Sequence, residues 1–277
     1  MLPRQFATAL VLLAGLVRGA HAQGVVVAPH AVYLDHRTRS TALLLYNPGA
    51  DPAEVTISSF YGYPVTDSLG HFMLQVPDSV DASMPSATAW IEAFPRRMTI
   101  APLQRQTVRL LARPPQGLAD GEYWSRIVIA AKGGSVQVAS ADSNGIQIGL
   151  SLEVRTIIPL IYRKGAQQTG VTLSGLRAEP VGDSVAVRLH LERQGTAAYI
   201  GTARGTLLSA KGASVSSFQQ PVAVYYDAEP VFLLPRVGVP AGSYRLRVEL
   251  ASDRTDILPE LLLRAPPVRD SIEVTLP

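Results

Sequence analysis

The sequence predicts an all-β protein made of two β-sandwich domains behind an N-terminal export segment. Three observations carry that expectation. Apolar and polar residues alternate with period two in run after run, and helical periodicity is nearly absent. The runs follow one another at roughly 8–12 residues with turn residues between them, the pattern of a sandwich or barrel. A polar, glycine-containing stretch, Lys164-Gly-Ala-Gln-Gln-Thr169, interrupts the chain after its longest β run. The expected division is 1–22 export segment, 23–164 first sandwich and 165–277 second sandwich, each sandwich being of ordinary domain size.

The export segment comes first. One positive charge, Arg4, precedes the apolar run Phe6–Val17, and Ala20-His21-Ala22 supplies the small-x-small pattern of a cleavage site. This predicts a signal peptide cut between Ala22 and Gln23, and so an exported protein. The run is too short to span a bilayer, which needs roughly 20 apolar residues. No later segment reaches that length, so no stable membrane insertion is expected after cleavage. Cleavage would remove Arg4 and Arg18, so the formal charge of +3, from 25 basic and 22 acidic residues, falls close to neutral. Such a balance gives no support to nucleic-acid binding. There is no cysteine. An exported protein without disulfides must hold its cores by sheet packing.

The strands follow in order. Thr41–Tyr46 alternates and stops at the turn Asn47-Pro48-Gly49. Ala53–Phe60 alternates again. Leu69–Ser86 fits a short strand, a loop or a helical turn. Thr107–Leu111 and Tyr123–Ala130 are short aliphatic runs bounded by Pro or Gly. Ile146–Val154 alternates for nine residues and continues as Thr156–Tyr162. After the break come Val171–Leu176, Ser184–Glu192, Ala198–Ser209, Ser214–Phe218, Val222–Tyr226, Ser243–Leu250 and Ser271–Leu276.

Little points to catalysis. Outside the export segment the histidines are His30, His36, His71 and His190, and no two have metal-site spacing. No nucleophile elbow, phosphate loop or dinucleotide fingerprint occurs. Asp35-His36 near Ser40 is the one hydrolase-like grouping, and surface turns are commonly built of such residues. The expectation is a non-enzyme with no metal and no cofactor.

Several segments together resemble the periplasmic pilus-assembly chaperones of the PapD-like superfamily. Val25–Asn47 (VVVAPHAVYLDHRTRSTALLLYN) is similar to their opening strands. Phe94–Leu111 (FPRRMTIAPLQRQTVRLL) and Leu118–Arg126 resemble the stretch that follows. Gly149–Arg163 (GLSLEVRTIIPLIYR) is similar to the long strand closing their first domain. The resemblance implies two immunoglobulin-like sandwiches and a chaperone for pilin-like subunits, working beside an outer-membrane usher. It also implies a mechanism: the long strand is lent to an incomplete subunit sandwich, with main-chain pairing along an open edge. The lent residues would be Ile146, Ile148, Leu150, Leu152 and Val154, which share one face at period two. The same face could instead pack into the protein's own core. An Arg and a Lys in the family's interdomain cleft bind the subunit's terminal carboxylate. The matching positions here are His30 or Ala31, and Pro159, so that pair is missing. Arg155, Arg163 and Lys164, or Arg37 and Arg39, are candidate replacements. The alternative is a secreted structural or adhesive surface protein built from the same modules.

Overall fold

The computed structural model describes residues 24–138 and 148–277, without the side chains of 134–138 and 148–151. The predicted signal peptide and Ile146 lie outside the described residues. The regular secondary structure of the described residues is strand, apart from one 3-10 turn at Thr88–Trp90.

The first sandwich contains β1 (Val26–Ala28), β2 (Val32–Asp35), β3 (Ser40–Tyr46), β4 (Ala53–Phe60), β7 (Ile91–Phe94), β8 (Arg97–Ile100), β9 (Arg105–Ala112), β10 (Gly121–Val138) and β11 (Ile148–Lys164). One sheet runs β1-β3-β9-β7 and the facing sheet β2-β11-β10-β4-β8. The alternation seen in the sequence explains their packing. Leu43 and Leu45 of β3 and Val108 and Leu110 of β9 point inward from one sheet. Val55, Ile57, Ile127, Ile129, Ile158 and Leu160 meet them from the other, all nearly or fully buried. Each such side chain contributes roughly 1.5–3 kcal/mol on burial. Asn47 closes β3: its amide donates to the Asp51 and Ile100 carbonyls while its oxygen accepts from Gly49 N–H, so the polar turn is internally satisfied.

The second sandwich follows. It contains β12 (Thr169–Val181), β13 (Ser184–Gly195), β14 (Tyr199–Leu208), β15 (Ser214–Val224), β16 (Asp227–Ala228), β17 (Val231–Pro235), β18 (Gly242–Ala251) and β19 (Val268–Leu276). One sheet is β12-β13-β16, with β17 also on β13, and the other is β15-β14-β18-β19. The core is the inward face of both, for example Val187, Leu189 and Leu191 against Leu246, Val248 and Leu250.

Three features depart from the strand list read in the sequence. Ser214–Phe218 and Val222–Tyr226 are mostly one strand, β15, at the edge of its sheet. Pro221 is tolerated there because the outer side needs no donor. The short strands β7, β8 and β17 carry too few residues to show a period. The ambiguous stretch from Leu69 resolves in part as a hairpin, β5 (Tyr63–Thr66) with β6 (Phe72–Gln75), that belongs to neither sandwich.

Candidate binding cleft at the sandwich junction

β10 and β11 are the longest strands and pair with each other along their length, with one irregularity between Lys132 and Ser135. The other edge of β11 is covered only near its end, where β2 pairs in parallel with Leu160–Arg163. Among the described residues no strand pairs with that edge from Ile148 to Pro159. Pro159 stands where β2 pairing begins, and its missing N–H suits this half-open position.

The two faces of β11 divide along its length. Ile158, Leu160 and Tyr162 belong to the first core. The same face then runs past the sandwich: Val154 is half-buried and Leu152 is 49% exposed. The face expected to be lent is therefore continuous with the core face, buried from Ile158 onward and exposed at Leu152. Ile148 and Leu150 continue that register along β11. Ile157, on the opposite face, is 44% exposed, whereas Ile161 is buried at the junction of the two sandwiches.

That junction is aromatic and charged. Tyr61, Trp124, Ile161, Ala198, Ile200, Tyr225 and Leu262 form a separate buried cluster. Trp124 meets Tyr225 edge-on at 4.5 Å between ring centroids. Below it lies Glu122, only 3% exposed. One of its carboxylate oxygens accepts from Trp124 Nε1 at 2.8 Å and from Ala198 N–H at 2.9 Å. The other accepts from Arg163 Nε at 2.9 Å, and Arg163 also donates to the Leu261 carbonyl at 2.6 Å. One carboxylate thus joins β10 and β11 to both the start of β14 and the loop before β19. Tyr33, beneath the Arg163 guanidinium, has its hydroxyl pKa pushed up to about 12, chiefly by burial.

The hairpin makes a second bridge. Its tip is held by Asp67, whose side-chain oxygen accepts from Leu69 and His71 N–H. Gly70 C=O accepts from Val231 N–H at 3.0 Å, and Thr66 Oγ1 from Glu229 N–H at 2.8 Å. Gly70 has φ +83°, and a Cβ there would overlap Val231. Gly70→Val should therefore undock the tip. The expected result is faster hydrogen exchange at the Val231 amide, with the core amides of β13 and β18 unchanged. Equal exchange at Val231 in variant and wild type would rule out the latch.

Between hairpin, β11 and the second sandwich lies a cleft of about 490 Å³. His30, Ala31 and Pro159, the positions matching the family's cations, line it. None of the candidate replacement cations, Arg155, Arg163, Lys164, Arg37 and Arg39, lines it. Arg163 is held by Glu122. Lys164 reaches the Leu118 carbonyl and lies 3.5 Å from Asp120. Arg155 is paired with Glu153, and its hydrogen bond holds that carboxyl below the usual carboxylate range.

The cleft does hold a cation that the sequence reading passed over. Arg126 is 8% exposed and lines the cleft floor. It stands directly across the ladder from Pro159. Its Nε donates to the Gly62 carbonyl at 2.9 Å, and its guanidinium lies 5.4 Å from the Tyr225 ring centre. Among the described residues no carboxylate is within ion-pair distance of it. The neighbouring Arg254 differs: Asp256 takes both ends of its fork, at 2.7 and 2.6 Å, which also holds that carboxyl below its ordinary range. Ladder register could have found Arg126, but the family pattern drew attention to the strand beside it.

The hydrolase-like grouping disperses. Asp35 caps its own turn through Arg37 N–H at 2.7 Å. His36 is occupied by the Tyr162 hydroxyl at 2.9 Å and by Arg39. Among the described residues no group of three or more His, Asp or Glu could hold a metal ion, and no helix is long and apolar enough to cross a membrane.

Fold and site together define a two-domain immunoglobulin-like β-sandwich protein with a half-open strand leading into a charged cleft. No family model and no curated protein matches the chain. Solved structures similar to it include chaperones. The YadV chaperone is 15% identical with a TM-score of 0.45, over 90% of this chain and 99% of that one. A chain of the Salmonella enterica SafA pilin–SafB chaperone complex is 15% identical with a TM-score of 0.44, over 92% and 99%. The Pseudomonas aeruginosa CupB2 chaperone is 13% identical with a TM-score of 0.41, over 91% and 100%.

Proposed function

We propose that the protein is a periplasmic chaperone for pilin-like fibre subunits, lending them the open edge of β11. The observation that carries this reading is the continuous stripe on β11. A strand whose far half is anchored in a core presents its near half with one backbone edge unpaired among the described residues and Leu152 exposed. An open, apolar edge is a liability unless a partner covers it. Strand addition would use that edge for affinity and the alternate side chains for fit.

Arg126 completes the reading as the replacement anchor. A buried cation without an acid partner is costly. A subunit's terminal carboxylate would satisfy it through the guanidinium fork. The family's cation is thus displaced by one strand, from the Pro159 position to its partner on β10. Arg155, Arg163 and Lys164 keep structural roles in this scheme. An outer-membrane usher would receive the loaded complex.

The test is periplasmic co-expression with a small exported subunit encoded beside the gene. Leu152→Glu places a charge on the lent face without touching either core. A fully buried aliphatic side chain is worth roughly 1.5–3 kcal/mol. Subunit recovery with the variant should fall about tenfold or more. Unchanged recovery would end the strand-lending mechanism. Export of the protein itself beyond the periplasm, read by cell fractionation, would favour the structural or adhesive surface role.

A further inference from the structure

The geometry points to a side-chain specificity site: the β5–β6 hairpin selects partners whose last residue, beside its free carboxylate, bears a large apolar side chain. This rests on Arg126 being the carboxylate anchor and adds what stands around that anchor. Pro64 of β5 and Phe72, Met73 and Leu74 of β6 form one wall of the cleft. Phe72 is 38% and Met73 49% exposed, although the hairpin has no core of its own to fill. Across the floor from them stand Ile157 and Pro159 of the open strand.

Charge and shape together decide the occupant. The floor offers one buried positive group with no acid partner among the described residues. The hairpin and β11 walls beside it are apolar, and His30, Arg254 and Asp256 complete the lining, the last two paired with each other. A carboxylate on Arg126 therefore places the group attached to its α-carbon between the hairpin and β11. A polar side chain there would lose water against Phe72, Met73 and Ile157 with nothing to replace it. An aromatic or long aliphatic one would bury apolar area on both sides. The hairpin can hold that wall in place because it is tied at both ends. Its tip is docked on Val231 and Glu229, and Tyr63 packs on Tyr226 at 4.9 Å at its base. A wall fixed in advance loses little entropy on binding.

Fluorescein-labelled heptapeptides of alternating threonine and valine provide the probe, read by anisotropy on the full mature protein. Three endings are compared: phenylalanine acid, phenylalanine amide and serine acid. The phenylalanine acid should bind wild type at least tenfold more tightly than either other peptide. In the double variant Phe72→Ser, Met73→Ser, both positions being partly exposed, the preference for phenylalanine over serine should shrink to about threefold or less. The preference for acid over amide should persist. The conservative Phe72→Leu should keep both. A phenylalanine preference that is absent in wild type, or survives intact in the double variant, overturns the hairpin's role. Equal binding of acid and amide by wild type would instead remove Arg126 as anchor, with the phenylalanine-to-serine ratio still reporting on the hairpin. No measurable binding of the phenylalanine acid at millimolar peptide overturns both.

Discussion

Glu122→Ala is expected to cost about 3–5 kcal/mol of stability, the usual penalty for removing one partner of a buried ion pair. Three donors lose their acceptor together: Trp124 Nε1, Ala198 N–H and Arg163 Nε. The Glu122 side chain is fully buried and that of Arg163 is 16% exposed, so water can reach the guanidinium only in part. The damage falls on the junction, because Ala198 and Leu261 belong to the second sandwich and Glu122 to the first. Urea unfolding should therefore change from one transition toward two, as the sandwiches lose their shared contact. Glu122→Gln keeps an oxygen for Trp124 and Ala198 and should lose less. A Glu122→Ala variant within about 0.5 kcal/mol of wild type would mean that the carboxylate does not couple the sandwiches.

Arg126→Met should separate binding from stability. The side chain is buried, yet its fixed contacts are one carbonyl and one aromatic ring. Replacing an unpaired buried cation by an apolar chain of similar length should leave the unfolding free energy unchanged or raise it slightly. Binding should move the other way. Loss of one member of a buried charge pair costs about 2–5 kcal/mol, so subunit affinity should drop about 30-fold or more. Isothermal titration with a purified subunit, beside urea unfolding of the free variant, measures both quantities. Full affinity in the variant would exclude Arg126 as the anchor. A large loss of stability would show that the residue holds the fold together.

Much of this was legible in the chain. Period-two runs such as Ala53–Phe60 match β4 residue for residue, because one buried face per sheet forces the alternation. What stayed hidden has a common cause. The β5–β6 hairpin buries neither face in a sandwich, so its strands show no alternation to read. The short strands β7, β8 and β17 are set by pairing with neighbours far away in sequence. The alternating stripe from Ile148 to Tyr162 left open whether its face was a core or a docking surface. It is a core from Ile158 onward and open around Leu152, a division that depends on where the facing sheet ends.

The cations show the same limit. Arg155, Arg163 and Lys164 were drawn from the strand where a cation was wanted, yet each has a partner within the chain. Glu122, in no obvious motif and 41 residues from Arg163 and 76 from Ala198, emerged as the junction's acid only when those two came to it. The sequence by itself determined that this is a disulfide-free, all-β chain in two sandwiches with one long alternating strand, since local periodicity and composition are written in neighbouring residues. Only the tertiary structure decided which edge of that strand is open and that Arg126, lining the cleft, has no acid partner among the described residues. Both depend on contacts between segments distant in the chain, and no local pattern records them.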